Sequence, residues 1–134
     1  MIVGGKIARV SAEKLSDDLD SKGLGMDVSI ANIEFKDKLL FVAYKYSLEY
    51  QPKKAAMQIE GEIVYSGEEK RLSGLLDSWK KTRKLDPSFA EEILNAITHT
   101  GMVVGTLLSF AIGVPAPITG QKLSVMDTPV KKAG

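Results

Sequence analysis

His99 is the only histidine in this 134-residue chain, and the chain contains no cysteine. A catalytic or metal-binding histidine usually needs a carboxylate or a second histidine beside it. The nearest acidic residues, Glu91 and Glu92, lie about two helical turns upstream, and none follows His99 as far as residue 121. We therefore interpret His99 as a hydrogen-bonded histidine in the core or at an interface. The absence of cysteine excludes thiol catalysis, disulfides and cysteine-ligated zinc.

Two glycine-rich stretches and one acidic stretch are candidate binding motifs. Residues 4–6 and 23–25 do not match the Gly-x-x-x-x-Gly-Lys-Ser/Thr pattern of a phosphate-binding loop, so we interpret them as turns. Asp17, Asp18 and Asp20 resemble half of a calcium loop but lack the glutamate at its twelfth position. These residues predict no metal site, no cofactor and no enzymatic activity.

A basic run, residues 80–84, has further positive charges upstream at Lys70 and Arg71. Such a run can bind nucleic acid or another anionic surface. It is equally typical of the end of a helix, where cations interact favourably with the helix dipole. Aromatic residues are not interleaved with it, and the net charge of the chain is only +1. We therefore expect no nucleic-acid partner.

The middle of the chain alternates between apolar and polar residues, which predicts antiparallel strands with one wet face. Residues 40–50 and 55–65 follow this pattern and are expected to pair as a hairpin. Residues 26–35 also alternate, but their phase slips by one residue, which predicts a β-bulge near residues 31–32. Residues 6–12 are a weaker candidate for a fourth strand.

The period changes from two to 3.6 after residue 67, which predicts two helices. The apolar positions of the first helix are spaced i, i+3, i+4 and i+7: Leu72, Leu75, Leu76 and Trp79. Asp86 as N-cap and Pro87 at the first position open a second helix that runs to about Ile112. Gly113 ends it, and residues 118–125 are expected to form a short extended piece.

Residues 95–121 contain no charged side chain, which allows two interpretations. A long uncharged apolar run is a candidate membrane anchor. The alternative is a helix buried against the sheet and against a partner chain. The strongly apolar part, residues 102–114, spans only about 20 Å as a helix, whereas a hydrocarbon core is about 30 Å thick. We therefore favour the buried helix, and a membrane partner is not expected.

Small residues recur every four positions in this helix, at Gly101, Gly105, Ser109 and Gly113. Small side chains on one helix face let another backbone approach closely. The stripe is compatible with packing on the strands of the same chain. It is also compatible with a helix–helix contact between subunits, and we name these four residues as the candidate oligomer interface.

Four tyrosines lie on the strand faces that alternation places inward: Tyr44, Tyr46, Tyr50 and Tyr65. Packing in the core is one interpretation. If subunits associate through their helices, part of this surface stays open as a groove, and such grooves bind extended apolar peptides. We name the four tyrosines as the candidate apolar binding surface.

The order of elements resembles that of the bacterial export chaperone SecB and its SecB-like relatives. The resemblance rests on short patterns: Gly-Glu-Ile-Val-Tyr-Ser-Gly at 61–67, Leu-Asp-Pro at 85–87, Ile-Leu-Asn-Ala-Ile at 93–97 and Gly-Val-Pro-Ala-Pro-Ile at 113–118. It implies an α+β fold in which a four-stranded antiparallel sheet packs with a long C-terminal helix. It also implies a homo-oligomer, a dimer or a tetramer, built through the helix and the sheet edges.

The resemblance further implies a non-enzymatic binding protein, interpreted as a chaperone that holds unfolded polypeptide on an apolar groove. SecB is acidic and carries a second C-terminal helix, whereas this chain is balanced in charge, so docking to the SecA motor is not expected. Alternatives are a small-molecule or lipid-binding domain with a cavity between sheet and helix, or a tail-anchored scaffold. We expect one domain over residues 1–120, a tail over 121–134, and a cytoplasmic location.

Overall fold

The computed structural model describes residues 1–17, 23–117 and 124–125. Its elements, in chain order, are β1 (Ile2–Lys14), β2 (Gly23–Lys36), β3 (Leu39–Gln51), β4 (Ala55–Tyr65), α1 (Glu69–Thr82), α2 (Pro87–Ile112) and β5 (Ser124–Val125). The strands form one sheet in the order β1-β4-β3-β2-β5, antiparallel except for the last pair. The predicted α+β fold class is confirmed, and a short parallel strand is added at one end. The rest of the predicted extended piece and of the tail lies outside the described residues.

The sheet buries one face, and the alternation in β3 and β4 decides which. Every second residue of each strand is buried, and paired residues such as Tyr46 and Ile59 share that face. The residues between them, such as Lys45 and Glu60, face the other side and are paired in turn. The helices cover the apolar face, since an amphipathic sheet must bury its apolar side against another layer.

The predicted bulge in β2 is confirmed. The register with β3 shifts between Ile30 and Asn32, so that Ile30 pairs with Tyr44 and Asn32 with Ala43. One extra residue reverses which positions face the core. This is why Val28 and Ile33, which differ in parity, are both buried.

β1 is longer than the predicted residues 6–12 and lies at the end of the sheet, paired with β4. Its register shifts twice, between Ile2 and Gly4 and between Ile7 and Arg9. Each shift changes the side to which the following residues point, and most of the strand is exposed. A strand without one buried face has no clean alternation, so its sequence signal is weak.

The helix boundaries follow the predicted signals closely. In α1, Leu72, Leu75 and Trp79 are buried, and the basic run begins in its last turn. The guanidinium of Arg83 lies 4.2 Å from the centroid of the Trp79 ring, so one cation of that run stacks on an aromatic face. The Asp86 side chain accepts a hydrogen bond from the Phe89 amide at 3.3 Å and caps α2.

The two halves of α2 pack on the sheet through different kinds of residue. The first half inserts large side chains, including Phe89, Ile93 and Ile97. The second half presents Gly101, Gly105 and Ser109, all buried. Large side chains hold the helix away from a sheet, whereas glycine lets its backbone come close. The second half therefore lies directly on the strands.

The small-residue stripe thus faces the sheet of its own chain. A Cβ atom at Gly101 would clash with the ring of Tyr46, and one at Gly105 would lie 3.0 Å from the Leu48 side chain. The buried Ser109 hydroxyl donates to the Thr106 carbonyl at 2.6 Å. The structure therefore shows the intrachain alternative at these three positions, which are not available to a second copy while the helix lies here.

The fourth member of the stripe, Gly113, has a different role. It is exposed and adopts a φ of 72°, a left-handed conformation in which glycine carries no steric cost. Its amide and that of Val114 donate to the Ser109 carbonyl, which ends the helix.

We predict that Gly101→Ala lowers the free energy of unfolding by about 2 kcal/mol, because overpacking against the Tyr46 ring exceeds the gain in helix propensity. The control is Gly74→Ala in α1, where nothing lies within 4 Å of the added Cβ. It should raise stability by about 1 kcal/mol. Urea unfolding followed by circular dichroism measures both, and equal effects would contradict the packing.

Candidate binding surface

The four candidate tyrosines lie in the core of the single chain. Each is at most 4% exposed. The Tyr65 ring packs edge-on against Phe89 of α2, with centroids 4.8 Å apart. Tyr46 lies under Gly101, and the Tyr50 hydroxyl donates to the Pro115 carbonyl. They therefore do not form an open groove here, and core packing is what the structure shows.

Tyr46 differs from Tyr50 in how its hydroxyl is satisfied. The Tyr46 hydroxyl is buried and has no hydrogen-bond partner in the part of the chain that the structure describes. Burial raises the pKa of Tyr46 to about 12, with a smaller contribution from the nearby Tyr50. Burial likewise raises the pKa of Tyr50 to about 12. Both hydroxyls are therefore neutral at physiological pH.

The exposed large apolar side chains of the described residues fall in two places only, the β1 region and the second half of α2. They are Met1, Val3, Ile7, Val10, Leu15, Val103, Leu107 and Phe110. Scattered single residues of this kind are normal on a protein surface, but a concentration on two elements is typical of an interaction site. These residues are not among the site residues predicted from the sequence.

The strand strip consists of Ile7 and Val10 on β1. They pair with Gly61 and Ile59 of β4, so they point to the side of the sheet that the helices occupy. They remain 42% and 44% exposed, although α2 also contacts β1. Because β1 is the end strand of the antiparallel sheet, part of each of these apolar side chains lies in water.

A cleft lies between Ile7 of the strand strip and the flank of the helix. This β1–α2 cleft has a volume of about 460 Å³ and is open to solvent. Its walls come from β1, the sheet floor and α2, and include Ile2, Gly5, Ile7, Tyr44, Ile63, Ala96 and Thr100. The lining is mostly apolar.

The helix strip consists of Val103, Leu107 and Phe110, which are 50%, 63% and 71% exposed. Their spacing of i, i+4 and i+7 places them on one face of α2, opposite the buried small residues. His99, one turn earlier, is also exposed. The expectation of a core histidine is therefore corrected for the single chain.

The described residues give little evidence of a site for a metal ion or an anion. No group of three or more histidine, cysteine, aspartate or glutamate residues there could hold a metal ion. Of the calcium-like stretch, Asp18 and Asp20 lie outside the described residues. The residues of the basic run are exposed at the end of α1. The upstream Arg71 lies 4.0 Å from the carboxylate of Asp86.

The Ser88 hydroxyl and the Phe89 amide, which donate to Asp86, lower the pKa of its carboxyl group.

By length and composition, α2 is the one helix of the described residues that could cross a membrane. Core helices of soluble proteins satisfy the same test. Here α2 contacts β1, β3 and β4 and buries residues along its whole length. In this structure it is therefore the cover of a sheet.

No protein-family model matches this chain, and no curated protein matches it. Among solved structures, the chain is similar to the Mycobacterium tuberculosis Rv1957 SecB-like chaperone in complex with a ChAD peptide from the Rv1956 HigA1 antitoxin. The TM-score is 0.59 and the sequence identity 14%, and the match covers 92% of this chain and 87% of that chain. A similarity at this identity shows the fold. The SecB-like fold predicted from the order of elements is therefore confirmed.

We predict that Tyr46→Phe raises the free energy of unfolding at pH 7 by about 1 kcal/mol, because it removes a buried hydroxyl without a partner. Tyr50→Phe is the matched control and should lower the free energy of unfolding by about 1 kcal/mol, since this variant loses the hydrogen bond to the Pro115 carbonyl.

In the unfolded chain tyrosines lose their protons near pH 10. Because the pKa of both tyrosines is raised to about 12 in the folded chain, the free energy of unfolding should fall between about pH 10 and pH 12. The fall should be less steep in Tyr46→Phe than in the parent chain, because one of the two groups is gone. Chemical unfolding at several pH values checks this, and an unchanged slope would contradict it.

Proposed function

We propose that this protein is a non-enzymatic SecB-like binding protein that holds apolar segments of unfolded polypeptide in the β1–α2 cleft. The observation that carries the proposal is the exposed strand strip, which lies beside this cleft on the end strand of a SecB-like sheet. Burial of apolar surface supplies the affinity, and no bond needs to be made or broken.

The end position of β1 supports an extended peptide as the ligand. Within the described residues β1 pairs with no strand other than β4. Apart from the Ile2 amide, which donates to the Glu92 side chain, its other side therefore presents main-chain donors and acceptors. A peptide that adds to such an edge forms main-chain hydrogen bonds regardless of its sequence. Its alternate side chains would then point toward the helix side, where Ile7 and Val10 lie. This combination favours broad recognition of apolar segments.

The ligand class also agrees with the structural comparison. The Mycobacterium tuberculosis SecB-like chaperone was solved with a peptide of another protein, an antitoxin. For the present chain we propose the class of ligand, an extended peptide, and not that partner. A cytoplasmic location stays a prediction.

We further propose that the chain self-associates through the helix strip. Val103, Leu107 and Phe110 form an apolar row that nothing in the described part of the single chain covers. Helices with such rows pack side by side against a second copy. We therefore propose the helix strip, on the opposite face of α2, as the contact between subunits, in place of the buried small-residue stripe.

Replacing the strand strip by acids, Ile7→Asp with Val10→Asp, should abolish most of the holding activity. The wild-type chain is expected to suppress aggregation of a chemically denatured client at stoichiometric amounts without ATP, as followed by light scattering. Because both residues are exposed, the fold should persist. Ser11→Asp, exposed on the same strand, is the control and should protect normally. Full protection by the double variant would refute the site.

Leu107→Glu with Phe110→Glu should convert the oligomer to a monomer, because charged side chains cannot be buried unpaired in a helix contact. Size-exclusion chromatography with light scattering measures the mass. Asn95→Glu, exposed on the same helix but outside the helix strip, should leave the assembly intact. A monomeric wild-type chain, or an oligomeric double variant, would contradict the proposal.

A further inference from the structure

β2 lies at the opposite end of the antiparallel sheet from β1, and the two-residue strand β5 pairs with it there. β5 runs parallel to β2, with Ser124 beside Gly25 and Val125 beside Met26. A strand in this position occupies main-chain groups that another chain could otherwise use. We propose that β5 is an intramolecular occupant of the β2 edge, and that its release opens a second strand-addition site for an extended polypeptide.

The segment that follows α2 is already held near this edge. The Tyr50 hydroxyl donates to the Pro115 carbonyl, and Val114 and Pro117 are buried. Tyr50 pairs with Leu24, the residue before Gly25. The chain therefore leaves the helix beside the first residues of β2, and β5 pairs with the same part of that strand.

The glycines of β2 suit an edge that receives a strand. The prediction of a turn at residues 23–25 is wrong, because these residues form the start of β2. Gly25 is one of the two residues beside which β5 runs. Glycine inside a strand often marks a place where another backbone approaches closely. Of the two glycines in this stretch, Gly25 is the one that lies beside β5.

The pairing between β2 and β5 is short, but β5 is covalently part of the same chain. It involves two of the 14 residues of β2, so few hydrogen bonds hold β5 in place. A tethered segment competes at an effective concentration in the millimolar range. A free peptide binds only the fraction of molecules whose edge is open, and its apparent affinity falls by that fraction. β5 thus acts as a built-in competitor at the end of the sheet away from the β1–α2 cleft.

The test uses the full chain with Ser124→Pro and Val125→Pro, because proline has no main-chain N–H to donate. The probe is a fluorescently labelled synthetic peptide that copies residues 118–128, with binding measured by anisotropy. We expect the variant to bind the probe at least about threefold more tightly than the parent chain. Adjacent amides of a strand point to opposite neighbours, so of Gly25 and Met26 the amide that points toward β5 should also exchange faster in the variant, whereas the one that points toward β3 should not. Val130→Pro with Ala133→Pro, outside β5, is the matched control and should match the parent chain.

Equal binding of the probe by variant and parent, or binding by neither, would overturn the proposal, as would unchanged amide exchange. Circular dichroism verifies the fold of the variant, and Val125→Pro alone is the second variant with the same expected outcome. The aspartate variant of the strand strip, Ile7→Asp with Val10→Asp, should show the same probe binding as the parent chain. Failure of the cleft and failure of this edge are therefore distinguishable.

Discussion

The close approach of α2 to the sheet over Tyr46 is the contact on which the rest of the structure depends. Gly101 leaves no room for even a Cβ atom above that ring, so the helix backbone rests on the strands. With its small residues turned inward, the same helix must place its larger residues Val103, Leu107 and Phe110 outward. One geometric constraint therefore closes the core and, by the same rotation of the helix, creates an apolar row in water.

Local features of the fold are encoded by neighbouring residues and could be predicted. The start of α2 follows from the capping side chain of Asp86 and the fixed φ of Pro87, and its end from the left-handed Gly113. The bulge in β2 follows from a slip in phase that a buried face makes visible. β1 was underestimated, because an exposed strand with two register shifts has no buried face to leave a pattern.

The candidate site was harder to predict, since it depends on which element covers which. Alternation identified the inward face of Tyr44, Tyr46, Tyr50 and Tyr65, but periodicity does not say what lies on that face. Small residues suit a neighbouring strand and a neighbouring subunit equally well. The helix strip was present in the sequence as apolar residues at helical spacing within the uncharged stretch. The strand strip depends on β1 being last in the strand order, which is a non-local property of the fold.

Within the residues that the structure describes, the two ends of this sheet differ, because β1 pairs with β4 alone while β5 lies along part of β2 at the other end. Sheets that are bare at both ends can stack laterally without limit into ribbons and fibrils. β5 occupies main-chain groups beside Gly25 and Met26, two of the 14 residues of β2, and so disfavours such stacking at that part of the edge. In a protein that leaves apolar surface exposed, even a short strand at one end of the sheet works against fibril growth.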